Sequence, residues 1–252
     1  MSVLMKAADP NAALQMLLKK YGVAAGTKAK IALCGESGAL VPGDSFAAKD
    51  LPAGAAALLP WRVERRFVEL KNLVDNKTVE KVSTLRFASM RAGANLAELL
   101  YREFDLCEWI GGSRIVSLFA SFNAPHAANV IVKLDSGVAA SVEVGATLPA
   151  GSAPVDRHEI IAARGVASDR VVDTQMPQHS VYVMNAKGEN RFTDTDAELY
   201  GLSEEEILAV RAAYKVLANE KIKSEWQEQH VNLRRLVQAA LKSDAECVRV
   251  SI

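Results

Sequence analysis

Glu98, Arg102 and Asp105 lie four and three residues apart, the interval that sets side chains on one face of an α-helix. A guanidinium between two carboxylates allows two kinds of chemistry. The row forms an ion-pair ladder along the helix, or Arg102 offers its fork of donors to an anionic or hydroxyl-rich ligand. Proton transfer by the middle residue is excluded, because a guanidinium stays charged. Glu98 keeps acid/base capacity, and cofactor-free epimerisation or elimination through it is a further reading that no motif supports.

The other candidates are weaker. A dinucleotide site needs a strand, a glycine-rich turn and a helix N-terminus to hold the pyrophosphate. The nearest local run is Ile31-Ala32-Leu33-Cys34-Gly35-Glu36-Ser37-Gly38. A full G-x-G-x-x-G would need glycine where Ser37 and Leu40 stand, and Glu36 would set a carboxylate beside the phosphates. Gly35 and Gly38 therefore read as an ordinary turn, and as cofactor contacts only if a nucleotide binds. Gly35-Glu36-Ser37-Gly38-Ala39 lacks the second glycine of a nucleophile elbow. The four histidines, His126, His158, His179 and His230, fall on different elements with no zinc-like spacing, so no metal site is expected. His158 alternates with Ile160 on a strand and reads as a surface or hydrogen-bonded structural histidine, with a place in a pocket as the alternative. Cys34, Cys107 and Cys247 are scattered and read as reduced thiols of a cytosolic protein. Trp61, Trp109 and Trp226 sit in or beside apolar stripes and read as core or interface aromatics.

Several elements are needed to position these residues. Asp9-Pro10 opens a helix with Leu14, Leu17, Leu18 and Tyr21 on one face and Gly22 as its stop. Val3–Ala7 and Lys30–Leu33 read as short strands, and the Gly-, Ala- and Pro-rich stretch 35–60 reads as loop with one short helix. Amphipathic spacing predicts a helix over Arg62–Val74, and Lys81–Arg91 is a strand. A helix over Asn95–Ile110, ended by Gly111-Gly112, carries the Glu98 row. Strands follow at Arg114–Phe122, Asn129–Leu134 and Val138–Thr147, the last two joined by an Asp135-Ser136-Gly137 turn. Further short strands are expected at His158–Ala163, Arg170–Asp173 and Ser180–Asn185. Ser203-Glu204-Glu205-Glu206 is a capping box that opens a helix with Ile207, Val210, Tyr214 and Leu217 buried. A last helix through Ile222, Trp226, Leu233 and Val237 leads to a closing strand, Cys247–Ile252. Consecutive strands flanked by helices make an α+β domain, residues 61–252, with a mostly antiparallel or mixed sheet open on one face. Residues 1–60 form a small appendage before it.

The helix Glu98–Gly112 (ELLYREFDLCEWIGG), the meander through SGVAASVEVGATLPAG and DRHEIIAARGVAS, and the closing LRRLVQAALKSDAECVRVSI resemble the Gfo/Idh/MocA oxidoreductases, of which glucose–fructose oxidoreductase and inositol dehydrogenase are examples. The resemblance covers about three quarters of the chain. It implies an N-terminal Rossmann domain joined to an open-faced sheet used for oligomerisation, NAD(P) as cofactor and a sugar or polyol as substrate. Residues 1–60 then read as a degenerate, cut-back Rossmann remnant, with Asp9 at the place of the acidic residue that reads the adenine ribose. The family's Glu-Lys-Pro motif is absent, and Lys49, in Lys49-Asp50-Leu51-Pro52, is its nearest counterpart. Acid/base chemistry in the family falls to an Asp and a His one turn apart, followed by another Asp. Aligned on Asp105 and Trp109, those places hold Glu98 and Arg102, so only Asp105 matches.

The resemblance with these departures implies a relative that has lost standard NAD(P) binding and hydride transfer. Such a protein acts as an oligomeric binding or structural protein, or as partner of a full-length paralogous dehydrogenase. The alternative is an active NAD(P)-dependent sugar or polyol dehydrogenase using Lys49 and Asp105, with Asp9, Gly35 and Gly38 at the cofactor. Self-association through the open sheet face, as dimer or tetramer, and a small sugar-like ligand fit both. The bulk properties agree with a cytoplasmic globular protein. Net charge is zero and the pI is near 6.9, which gives no electrostatic reason for nucleic acid or an anionic membrane. No run reaches the ~18 apolar residues of a membrane helix.

Overall fold

The computed structural model describes residues 40–170, 180–185, 188–193 and 203–252. The elements in chain order are β1 (Leu40–Pro42), β2 (Ala56–Leu58), α1 (Arg65–Asp75), β3 (Glu80–Met90), α2 (Leu96–Gly111), β4 (Ile115–Asn123), β5 (Ala127–Leu134), β6 (Ala139–Gly145), β7 (Val155–Ser168), β8 (Ser180–Asn185), β9 (Gly188–Thr193), α3 (Glu204–Ala218), α4 (Glu220–Glu246) and β10 (Val250–Ser251). They divide into two compact units, and the described parts of the first are residues 40–64 and 203–232. The expected strands and helix before residue 34 lie outside the described residues.

In the first unit, β1 and β2 pair in parallel, with Leu40 opposite Ala56 and Pro42 opposite Leu58. The sequence reading had only loop and a short helix over this stretch. A 3-10 turn does occur at Asp44–Phe46. The strands escaped notice because three residues are too few to show a period of two. Val41 and Phe46 are buried together, with Leu51 and Ala55 packed against them. Helix α3 starts where Ser203 was expected to cap, and the Ser203 carbonyl accepts the Ile207 N–H. Ile207 and Val210 are buried as the stripe predicts, whereas Tyr214 is 40% exposed. Trp226 on α4 is buried.

The second unit holds the sheet. Its strands run in the order β10-β4-β5-β6-β3-β7-β8-β9, and only β3 and β6 are parallel neighbours. The α+β class and the open, mostly antiparallel sheet are therefore as expected. One expectation fails: His158–Ala163 is not a short strand ending near Gly165. It belongs to β7, which runs through Gly165 at φ 135 for 14 residues. Glycine alone tolerates that angle cheaply, so the residue that looked like a break lets the strand continue. Arg170 lies in a bend, and 171–173 fall outside the described residues. The closing strand is shorter than predicted, since only Val250 and Ser251 pair with β4.

One face of this sheet carries the core. Leu85 and Phe87 of β3, Leu118 of β4, Val130 and Val132 of β5, Val142 and Val144 of β6, and Ile160 of β7 are buried at alternate positions, the period-two pattern of a half-covered sheet. Helix α2 is buried on nearly every side, through Leu99, Leu100, Tyr101, Phe104, Leu106, Cys107 and Ile110. Asn95 caps its start by accepting the Ala97 N–H at 2.9 Å, and Gly112 ends it at φ 66. Gly111 sits so close to the sheet that a Cβ would lie 2.7 Å from Leu134 Cδ2. This close approach fixes the helix against β5. The opposite sheet face presents Phe119, Ile131, Ser141, Arg86 and Glu159 in one cross-strand row, with Phe119 and Ile131 nearly half exposed. Among the described residues no helix is long and apolar enough to cross a membrane.

Candidate functional site

Beneath α2, the core of the second unit contains a network of charges where apolar side chains would be the default. Strand alternation puts Leu85, Phe87 and Ser89 of β3 on the covered face, with Arg91 just past the strand end. Antiparallel pairing sets Ser89 opposite Asp156 and Phe87 opposite His158. Helix α1 adds Arg66 and Phe67, and α2 adds Arg102 and Glu103. Four segments thus converge on two carboxylates of the β7 region, Asp156 and Asp169.

Asp156 receives three guanidiniums. Arg66 Nη2 donates at 2.7 Å and Arg102 Nη2 at 2.9 Å. Arg91 Nη2 reaches both oxygens, at 3.1 and 3.3 Å, and Ser89 Oγ donates at 2.9 Å. Burial alone would push the Asp156 carboxyl up. Arg102, then Arg66 and Arg91, overcome that and hold it well below the usual carboxylate range. For Arg102 burial opposes the charge, and Asp156 followed by Glu103 more than restores it, so the guanidinium is held even more firmly protonated than usual. The side chain is only 8% exposed.

His158 forms the second half of the network. Its Nδ1 lies 2.5 Å from Asp169 Oδ2 and its Nε2 lies 2.9 Å from Glu103 Oε2. Carboxylates only accept, so both ring nitrogens donate and the ring is an imidazolium. Burial disfavours that charge, but Asp169 and then Glu103 raise the pKa to about 9. The His158 backbone N–H also donates to Asp169 at 2.6 Å, and Arg66 Nη1 reaches Asp169 at 3.3 Å. Phe67 and Phe87 meet the ring edge-on, at 4.7 and 5.0 Å between centroids. Because Glu103 and Asp169 occupy opposite ring nitrogens, they cannot share one ion. Among the described residues no cluster of His, Cys, Asp and Glu is placed to hold a metal.

The residues chosen from sequence fare unevenly. Arg102 stands in the network, but the Glu98–Arg102–Asp105 ladder does not form. Arg102 pairs with Asp156 and Glu103 instead, because its side chain turns to β7, where Asp156 accepts from both of its terminal nitrogens. Glu98 is half-buried on the first turn of α2 and makes no ion pair among the described residues; Asp105 is fully buried. Lys49 belongs to the first unit, exposed, with its ammonium 4.8 Å over the Phe46 ring. Asp9, Gly35 and Gly38 lie outside the described residues. Of the roles expected for His158, the hydrogen-bonded structural one is seen and the surface one is not, since the residue is fully buried with both ring nitrogens partnered. Sequence reasoning missed Arg66, Ser89, Arg91, Glu103, Asp156 and Asp169. Polar residues at core-facing strand positions, as at Ser89 and Asp156, were the available signal.

No protein-family model and no curated protein matches the chain. Solved structures do. An oxidoreductase from Agrobacterium radiobacter, in complex with NAD+, L-tartaric acid and magnesium, superposes with a TM-score of 0.63 at 15% identity, over 78% of this chain and 64% of that one. Levoglucosan dehydrogenase, complexed with NADH and levoglucosan, gives 0.59 at 13%, over 77% and 65%. An inositol dehydrogenase homolog from Azotobacter vinelandii, complexed with NADH and myo-inositol, gives 0.57 at 13%, over 79% and 64%. The chain spans less than two thirds of the length of each. At these identities the likeness is one of fold, and the fold is that of the Gfo/Idh/MocA-type oxidoreductases that α2, the meander and the closing strand resemble.

Proposed function

We propose that this chain binds a small hydroxyl-rich ligand on the fold of a sugar or polyol dehydrogenase without carrying out the hydride step. It acts as a self-associating binding protein or as partner of a complete dehydrogenase. The observation that carries the reading is the state of Arg102. Where the family resemblance places a proton-transferring histidine, this chain has a buried guanidinium clamped to Asp156. Hydride transfer from an alcohol leaves a hydroxyl proton that some group must accept. A guanidinium in that place cannot take it. Glu98, one turn earlier, is a carboxylate, but no relay to it passes through Arg102.

The open sheet face supports the self-association. It presents Phe119 and Ile131 beside both signs of charge, with Arg86, Lys133 and Arg157 against Glu143 and Glu159. A face of mixed sign with an apolar centre can pair with its own copy about a two-fold axis.

The test is dinucleotide binding by the purified chain, followed by fluorescence transfer to bound NADH or NADPH and by thermal stability with each. The reading expects neither transfer nor a stability shift. Tight, saturable binding of either nucleotide would favour the active dehydrogenase instead.

A further inference from the structure

The three guanidiniums around Asp156 are not equally provided for. Arg66 has a second carboxylate, Asp169, at 3.3 Å, and Arg102 has a second, Glu103, at 3.4 Å. Arg91 has only Asp156 among the described residues, and reaches it through Nη2 alone. Its Nε and Nη1 are left to other acceptors. It is also the outermost of the three, with 29% of its side chain exposed against 9% and 8% for Arg66 and Arg102.

We propose that Arg91 seats the carboxylate of a small anionic ligand, a sugar acid or related hydroxy acid, which completes the pattern of one further carboxylate per guanidinium. This deepens the reading above and rests on its claim that the chain binds a small hydroxyl-rich ligand. The physical reasons converge. A guanidinium cannot escape its charge by deprotonation, so one whose outer donors face no protein carboxylate gains from an added anion. Burial and the neighbouring Arg102 both press against the Arg91 charge, and an incoming carboxylate relieves both. The planar fork accepts a carboxylate through two parallel hydrogen bonds, and the existing bond to Asp156 holds the fork in place before the ligand arrives. A neutral polyol provides hydroxyl acceptors but no compensating charge.

The experiment is calorimetric titration of the full chain with matched pairs, gluconate against glucitol and galacturonate against galactose, repeated in R91Q. Each acid is expected to bind about tenfold or more tightly than its neutral partner, the scale of one added charge-assisted pair of hydrogen bonds. R91Q should abolish the advantage. Equal affinities within each pair, an unchanged acid advantage in R91Q, or no binding of any of the four would overturn the proposal. The wild-type comparison decides the matter even if R91Q fails to fold. Acid-selective binding together with reduction of added NAD(P)+ would sink the no-hydride reading and leave this one standing.

Discussion

His158 holds two carboxylates at once, and each loses its closest cation if the ring is removed. H158Q can satisfy one of them with a neutral amide and removes the positive charge that lies between Asp169 and Glu103. It is expected to lower stability by about 3–5 kcal/mol, the scale for breaking a buried ion pair, read as a fall in the urea midpoint. D156N should cost a similar ~3–5 kcal/mol, because three guanidiniums then face a neutral amide. The same histidine sets a pH dependence. Its folded pKa of about 9 exceeds the ordinary 6.5, so the folded state holds the proton more tightly than the unfolded chain does. Its contribution is fully present below about pH 6.5 and is lost as pH rises through about 9. The buried Cys107 thiol, also pushed up by burial and then by Glu103, acts in the same direction at high pH. The comparison that isolates His158 is wild type against H158Q. The wild-type midpoint should fall more steeply with pH across that window, and a parallel pair of curves would contradict the imidazolium.

At the level of elements, α2 carries the site and its ends decide its position. N95A removes the side-chain cap on the Ala97 N–H and should cost about 1 kcal/mol. G112A forces alanine to φ 66 and should cost about 1 kcal/mol as well. Thermal unfolding of the two variants measures both. This helix was legible in the sequence to within a residue at each end, because an Asn cap, an apolar stripe and a Gly-Gly stop all agree. Strands β3 to β6 were legible from alternation and the Asp135-Ser136-Gly137 turn. The Asp156 network was not. It depends on β3 pairing with β7 in the register that sets Ser89 opposite Asp156, and two strands 67 residues apart carry no local sign of being neighbours. The Glu98 row misled for a related reason. Spacing says which residues share a helix face but not which way a long arginine side chain turns once a carboxylate of a neighbouring strand is within reach.

At the scale of the molecule, the sheet's open face and its charged core make separate claims. If the face joins two copies, F119D/I131K should reduce the particle mass in sedimentation equilibrium from oligomer to monomer, with the circular dichroism of the fold retained. A wild-type chain that sediments as a monomer at high concentration would remove the claim. The core makes the larger claim, that a dehydrogenase fold has here a wall built to hold charge and not to pass a proton. The direct measurement is the appearance of reduced nicotinamide when the full chain is mixed with NAD+ or NADP+ and a panel of sugars, polyols and sugar acids. With Arg102 clamped to Asp156, no saturable turnover is expected with any of them, from acid to alkaline pH. Saturable reduction of either nucleotide that disappears in E98Q or D105N would contradict the account.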